Sequence, residues 1–343
     1  MTEWKECKLG DVVFFSNGKS RPDTSGYIPI YGGNGILEYT DQSNNDGETI
    51  IIGRVGAYCG SVYYENRPVW VSDNALAAKP KEQYYAKYLY YLLKFSDLNQ
   101  YAEGSSHPLL TQSLLNSIDI VFCDNIDEQK AIAEVLSSLD DKIDLLTRQN
   151  KTLEDLAQAY FRKWFIEDAS DKWEEIPLGQ LFVISSGKGL KKEKFTEHGQ
   201  YRVLGANGEI GKTNEYLFNE RLIYTGRVGT LGNVFIVDRE PVWLSDNTLV
   251  FRNIKYFFFV YFSLKWANLA DYNVGSTQPL IRQSDIKEIR VFMPDKERLD
   301  SFENLANSIF AKINSNQKQI QLLQKLRDTL LPKLISGEIR VKM

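Results

Sequence analysis

The 343-residue chain carries one ordered set of short blocks twice, which restricts it to folds that a single supersecondary unit can build in duplicate. Trp4-x4-Leu9-Gly10 returns as Trp173-x4-Leu178-Gly179, and Gly18-Lys19 as Gly187-Lys188, both at an offset of 169. Gly53-Arg54-Val55-Gly56-x3-Gly60 returns as Gly226-Arg227-Val228-Gly229-x2-Gly232 at 173. At the same offset, Val69-Trp70-Val71-Ser72-Asp73-Asn74 returns as Val242-Trp243-Leu244-Ser245-Asp246-Asn247. Gly104-Ser105-Ser106-His107-Pro108-Leu109 matches Gly275-Ser276-Thr277-Gln278-Pro279-Leu280 at 171. Order kept across five blocks, with offsets that wander by a few residues, indicates a shared core carrying short loop insertions.

Within each copy the first part reads as strand-rich. The segments 49–65 and 222–238 mix β-branched and aromatic residues with glycines that mark turns or bulges. One short helix is predicted in each, over 87–94 and 255–265. The period then changes. Ile132, Leu136, Leu139, Ile143, Leu146, Asn150, Leu153, Ala157, Tyr160 and Trp164 step by 4 and 3 without a slip. So do Phe302, Ala306, Ile309, Ile313, Asn316, Ile320, Leu323, Arg327, Leu330 and Leu334. More than four heptads in register predict a coiled coil, each helix roughly 50 Å long at 1.5 Å per residue.

The polar seam positions predict the direction of pairing. Asn150 falls at an a position and Asn316 at a d position, so parallel helices would keep the two apart. Antiparallel helices aligned end to end bring together residues whose numbers sum to 466, and 150 with 316 is such a pair. A buried asparagine pair that satisfies its amides mutually fixes register at some cost in stability. The expected fold class is therefore α+β: two strand-rich domains separated by an intramolecular antiparallel two-helix coiled coil, with a pseudo-two-fold internal repeat. The expected boundaries are 1–125 and 173–295 for the strand-rich domains, 126–166 and 296–343 for the helical regions, and 167–172 for a linker.

Catalytic signals are poor. Gly208-Glu209-Ile210-Gly211-Lys212-Thr213 suggests a phosphate loop, but the glycine that motif needs five residues before Gly211 is Ala206. The Gly-Arg-Val-Gly blocks read as tight turns between strands. His107 meets Gln278 in the other copy, and Asp73 and Asp246 each precede an asparagine, an ordinary turn pair. Two histidines and three cysteines, with no C-x-x-C, argue against a zinc site or a disulfide framework and fit a reducing cytoplasm. No secretory signal is visible at the start, and the most apolar run, Phe257 to Phe262, is far short of the roughly 20 residues of a membrane span. The chain is expected to be non-catalytic, metal-free and cytoplasmic.

Two strand-rich domains alternating with long helices, each copy opening on Trp-x4-Leu-Gly, resemble the specificity subunit of type I restriction-modification systems. The segment Leu330-Leu331-Pro332-Lys333-Leu334-Ile335-Ser336-Gly337-Glu338-Ile339-Arg340-Val341 is similar to that family's C-terminus. Tyr160-Phe161-Arg162-Lys163-Trp164-Phe165 is similar to the close of its first helical region. Asp127-Glu128-Gln129-x2-Ile132 resembles the family's helix start, which normally follows a proline; Pro294 supplies it in the second copy, whereas Cys123 stands there in the first. The resemblance implies two target recognition domains, each reading half of a bipartite double-stranded DNA target. It implies helices that set the spacing and dock two modification (methyltransferase) subunits, with restriction subunits completing the complex. S-adenosylmethionine, ATP and Mg would belong to those partners and not to this chain.

Candidate DNA-contacting residues lie in matching loops: Lys19 and Arg21 with Lys188 and Lys191, Asn34 with Asn207, and Ser105, Ser106 and His107 with Ser276, Thr277 and Gln278. Arg or Lys can read guanine, Asn or Gln adenine, and Ser or Thr either base. The last set shares its frame but not its side chains, as two domains reading different half-sites should. Arg54 and Arg227 are identical in both copies and suit a common role, a phosphate contact or structural bonding. Charge is uneven: residues 1–125 hold 10 Lys+Arg and 15 Asp+Glu, and residues 173–295 hold 15 and 14. Phosphate neutralisation usually dominates DNA affinity, so partner subunits are expected to supply much of it. A coiled-coil scaffold with two β domains for non-DNA ligands is the alternative reading.

Overall fold

The computed structural model describes residues 4–81, 84–104 and 107–342. The chain divides into two compact units: unit 1 is Met1–Thr147 with Lys318–Met343, and unit 2 is Arg148–Gln317. Each unit thus owns one strand-rich domain and part of both long helices.

Among the described residues unit 1 contains three sheets. Val13–Asn17, Ala75–Pro80, Thr49–Gly53 and Val62–Glu65 lie side by side in that order, all antiparallel. Thr49–Gly53, fully buried along its length, fills an inner position, as an unbroken Ile-Ile-Ile run requires. Ile28–Gly32 pairs antiparallel with Gly35–Thr40 and parallel with Trp70–Val71. A ribbon of Trp4–Lys8 and Asp119–Cys123 joins the first and last strands of the copy. Unit 2 repeats all of this. Its four-stranded order is Val183–Ser186, Thr248–Arg252, Leu222–Gly226, Val234–Val237. Tyr201–Gly205 pairs antiparallel with Gly208–Thr213 and parallel with Val242–Leu244, and Glu174–Pro177 with Arg290–Met293 forms the ribbon. The predicted short helices are Ala86–Phe95 and Phe257–Trp266.

The seam predicted two long helices, and they span Ile126–Arg162 (37 residues) and Lys296–Ile335 (40 residues). Asn125 caps the first through its side-chain oxygen, accepting from the amides of Asp127 (2.9 Å) and Glu128 (3.0 Å). Asp295 does the same for Arg298 (2.9 Å) in the second. Asn125 and Asp295 are therefore equivalent, which places Asp124, not Cys123, opposite Pro294. The first helix closes in a π turn, Lys163–Glu167; the second runs through Pro332 and stops at Gly337, whose φ of 75° suits a left-handed cap.

Pairing is antiparallel within each unit. In unit 1, Ile132 and Leu136 share a core with Leu334, Ile335 and the half-buried Leu330 and Leu331. In unit 2, Leu153, Ala157 and Phe161 share one with Phe302, Ala306, Ile309 and Ile313. The asparagine pair forms: Asn316 Nδ2 donates to Asn150 Oδ1 at 2.8 Å. Its amides are not mutually satisfied, however. The same Nδ2 also donates to Gln149 Oε1 (2.8 Å), and Asn316 Oδ1 is buried without a partner.

Each short helix is tethered to a long one by a side-chain acceptor. Gln129 Oε1 accepts from the amide of Tyr85 (2.8 Å), while its Nε2 donates to the carbonyl of Cys123 (2.7 Å). Glu303 Oε1 accepts from the amides of Phe258 (2.7 Å) and Phe259 (2.9 Å). Burial raises the Glu303 carboxyl above its ordinary range, and those two amides offset part of the rise. Among the described residues no helix is long and apolar enough to cross a membrane.

Candidate nucleic-acid interface

The repeated blocks are a main-chain lattice that holds loops together. Lys19 and Lys188 leave their strands at a point where glycine is obligatory. A Cβ on Gly18 would lie 1.9 Å from the Ser72 carbonyl oxygen, and one on Gly187 2.1 Å from that of Ser245. The Lys19 amide donates to the carbonyl of Val71 (3.0 Å), and the Trp70 indole donates to the Lys19 carbonyl (3.3 Å). In unit 2 the Lys188 amide donates to Leu244 (2.8 Å), and the Trp243 indole to Lys188 (2.7 Å). The backbone of each lysine is thereby fixed while its side chain stays exposed.

A second set of bonds gathers the other loops. The Arg54 amide donates to the Asn74 carbonyl (3.0 Å), and the Arg54 carbonyl accepts from Leu110 (2.9 Å). The Gly56 amide donates to Pro108 (3.2 Å). Unit 2 has each counterpart: Arg227 to Asn247 (2.8 Å), Ile281 to Arg227 (3.0 Å) and Gly229 to Pro279 (3.1 Å). The turn that carries Asn34 joins them. The Tyr63 hydroxyl donates to the Gly33 carbonyl (3.4 Å), and the Gly33 backbone abuts Gly53 and Val55. The structure thus brings together, in each unit, the loops that sequence spacing singled out.

Side-chain exposure sorts the candidates. Arg21, Asn34, His107, Lys191, Asn207, Ser276, Thr277 and Gln278 are exposed, like Lys19 and Lys188. Arg21 lies 3.4 Å from Glu38, a surface pair. Ser105 and Ser106 lie outside the described residues. Arg54 and Arg227 are half-buried, and Arg227 Nη1 donates to Ser186 Oγ at 3.5 Å, an oxygen that also accepts from Gln283 Nε2 (3.1 Å). The buried Nε of Arg54 has no hydrogen-bond partner. Asn233 is a participant the sequence did not single out: its Nδ2 donates to Asn207 Oδ1 at 2.7 Å. Ser61 occupies the equivalent place in the first copy, so the repeat carried no signal for it.

Among the described residues no group of three or more His, Cys, Asp or Glu is placed to hold a metal ion. A cavity of about 700 Å³ in unit 2 lies elsewhere, between the short helix, the ribbon and the end of the first long helix, lined by Phe161, Phe165, Trp266 and Phe292. A smaller cavity of about 320 Å³ occupies the same place in unit 1, lined by Phe95, Tyr101, Val121 and Ile335.

Known proteins share this plan. The chain is 28% identical, over 99% of its own length and 90% of the other's, to the type I restriction enzyme MjaIX specificity subunit of Methanocaldococcus jannaschii. It is 31% identical, over 42% of its length and 37% of the other's, to the EcoprrI specificity subunit of Escherichia coli. The crystal structure of a type I restriction-modification system S subunit from M. genitalium superposes with a TM-score of 0.70 at 22% identity, covering 97% of this chain and 96% of that one, and so has the same fold. The family model for the type I restriction modification DNA specificity domain matches twice, over residues 1–155 and 170–328. The duplicated lattice and these matches agree: the chain belongs to the type I restriction-modification DNA specificity family.

Proposed function

We propose that each strand-rich domain reads one half of a bipartite DNA target, and that the paired long helices set the unread gap and dock two methyltransferase subunits. One observation carries this reading. Identical main-chain bonds hold the loops in both units, while the exposed side chains on them differ, with Arg21 against Lys191 and His107 against Gln278. Sequence is read through side chains presented to base edges, and a fixed frame with exchangeable side chains is what two readers of different words require. A paired helix is stiff, so a fixed spacer follows, and half-site spacing mirrors the separation of reading elements.

Docking of partners has its own support. Leu326 in unit 1 and Leu156 in unit 2 are equivalent leucines left in solvent on the long helices. An apolar position repeated in this way suits two copies of one partner. S-adenosylmethionine, ATP and Mg would then act on those partners, and the site for this chain's work is cytoplasmic DNA.

Mapping methylated bases across the genome in strains with and without the gene tests the proposal. The expected result is one vanished motif, two short words around a constant gap. Lengthening both long helices by one heptad should widen that gap without altering either word. Loss of a continuous motif, or of none, would refute the reading.

A further inference from the structure

Both central hairpins break their ladder at the same place. Ile30 pairs with Glu38 and Tyr31 with Ile36, so Leu37 is the extra residue of a β-bulge. Val203 pairs with Gly211 and Leu204 with Glu209, which makes Ile210 the extra residue of the other. A bulge forfeits regular pairing and re-aims a side chain. Here it presents a branched apolar side chain to solvent in each unit: Leu37 is 41% exposed and Ile210 55%.

The seat of this side chain is also repeated. A Cβ on Gly32 would come within 2.7 Å of Leu37 Cδ1, and one on Gly205 within 2.8 Å of Ile210 Cγ2. Each side chain lies across bare glycine backbone, which supports its inner edge and leaves the outer edge free. Three residues earlier stand the exposed Asn34 and Asn207. The residues flanking the bulge diverge: Ile36, Glu38 and Tyr39 correspond to Glu209, Gly211 and Lys212. A single exposed leucine calls for no explanation. One retained twice on the same bulge, glycine seat and asparagine turn, amid divergent neighbours, points to a role that needs exposure.

We propose that Leu37 and Ile210 are apolar wedges that enter one base step in each half-site and unstack it, with Asn34 and Asn207 contacting the base edges beside the opening. The proposal rests on the reading that the units bind DNA. Leucine and isoleucine are established wedge residues, able to part stacked bases and kink the duplex. A side chain already held by its seat loses little freedom on insertion. The acidic domain of unit 1, short of cations for phosphate, gains most from a contact that does not depend on charge.

The test uses the chain co-expressed and purified with its modification subunits, and duplexes of the mapped target carrying 2-aminopurine at successive half-site positions. Binding should raise the fluorescence several-fold at one position in each half. Leu37→Ala should abolish the rise in one half only, Ile210→Ala in the other only, and Ile210→Leu should retain it. Each alanine variant should bind about tenfold more weakly with an unchanged salt slope. Tight binding without brightening at any position would overturn the wedge, as would brightening by Leu37→Ala equal to wild type. Equal loss on replacing thymine by uracil would overturn it in favour of a methyl contact. A wild-type complex that fails to bind DNA at all would defeat the proposed function together with it.

Discussion

Where the short helix meets the two long ones, unit 1 is filled by Leu89, Leu92, Leu93, Leu136 and Leu334, with Tyr88 and Tyr91 alongside. Unit 2 fills the same place with Phe161, Phe165, Phe258, Phe259, Phe262 and Phe302. Phe165 meets Phe302 edge-on at 5.0 Å and 86° and Phe259 at 5.1 Å and 77°, whereas Phe161 and Phe262 stack at 5.7 Å and 28°. The tethers differ as well, Gln129 in one unit and the carboxylate of Glu303 in the other. Even the buried tyrosines that bond a carboxylate on a long helix, Tyr91 and Tyr261, stand one residue out of register when the short helices are aligned, and they find their carboxylates differently. Tyr91 bonds Asp140 (2.8 Å), which also takes Arg327 (2.7 Å), whereas Tyr261 bonds Glu154 (3.1 Å), which takes Lys265 (2.7 Å). Strand order, bulge and loop lattice remain the same throughout. The lesson is that this architecture is held in common by glycines and main-chain bonds, while interior packing and exposed loop residues have changed independently around it.

That contrast can be broken by experiment. The largest effect is expected from Phe302→Ala, which removes a fully buried ring from the aromatic cluster and should cost about 3–5 kcal/mol. Hydrogen exchange should report the loss of protection over 148–317 before the rest. Ile132→Ala, at the matching seam position, should reverse that order, and equal loss in both units from either substitution would show them to be one cooperative block. Next, converting Thr277 and Gln278 to the Ser and His of the other copy should shift discrimination by about 1–3 kcal/mol. Competition binding should find it confined to one half-site, and a change in both halves would mean that the units do not read separately.

A smaller effect is expected at the asparagine pair. A double-mutant cycle with Asn150→Ala and Asn316→Ala should give a coupling of about 1 kcal/mol by urea unfolding. Coupling near zero would assign the burial of Asn316 to packing alone. The subtlest contrast is in pH response. The folded state raises the carboxyl of Glu303, so it holds a proton that the unfolded chain releases; its stabilisation is present at low pH and is lost as pH rises from the ordinary carboxylate range through the raised value. Glu65 is the reverse. Its bonds to Arg67 lower its carboxyl, and its stabilisation, present above the ordinary range, is lost as pH falls through the lowered value. Thermal melts against pH should show unit 2 gaining on mild acidification before unit 1 loses, and Glu303→Gln should remove the gain.

The repeat, the long helices and the Asn150–Asn316 register were legible because each is carried by spacing, which survives without coordinates. The loop constellation was legible for the same reason, since the blocks that recur are those whose backbones bond to one another. Three things were not. Leu37 and Ile210 carried no signal, because a bulge is defined by a partner strand that the sequence does not specify. Gln129 and Glu303 occupy non-equivalent helix positions, so comparing the copies conceals their shared task. The unpaired Oδ1 of Asn316 followed from rotamer geometry and the nearby Gln149, which no heptad pattern encodes.

The make-up of the two units has a consequence for how the chain is born. Unit 2 is contiguous, and its contacts are all available once residue 317 has left the ribosome. Unit 1 must wait, because Leu330, Leu331, Leu334 and Ile335 complete a core whose other members were made two hundred residues earlier. During that interval Ile132, Ala133 and Leu136 stand uncovered. Premature termination after residue 317 would therefore release a protein with one finished unit and one that has lost its closing helix.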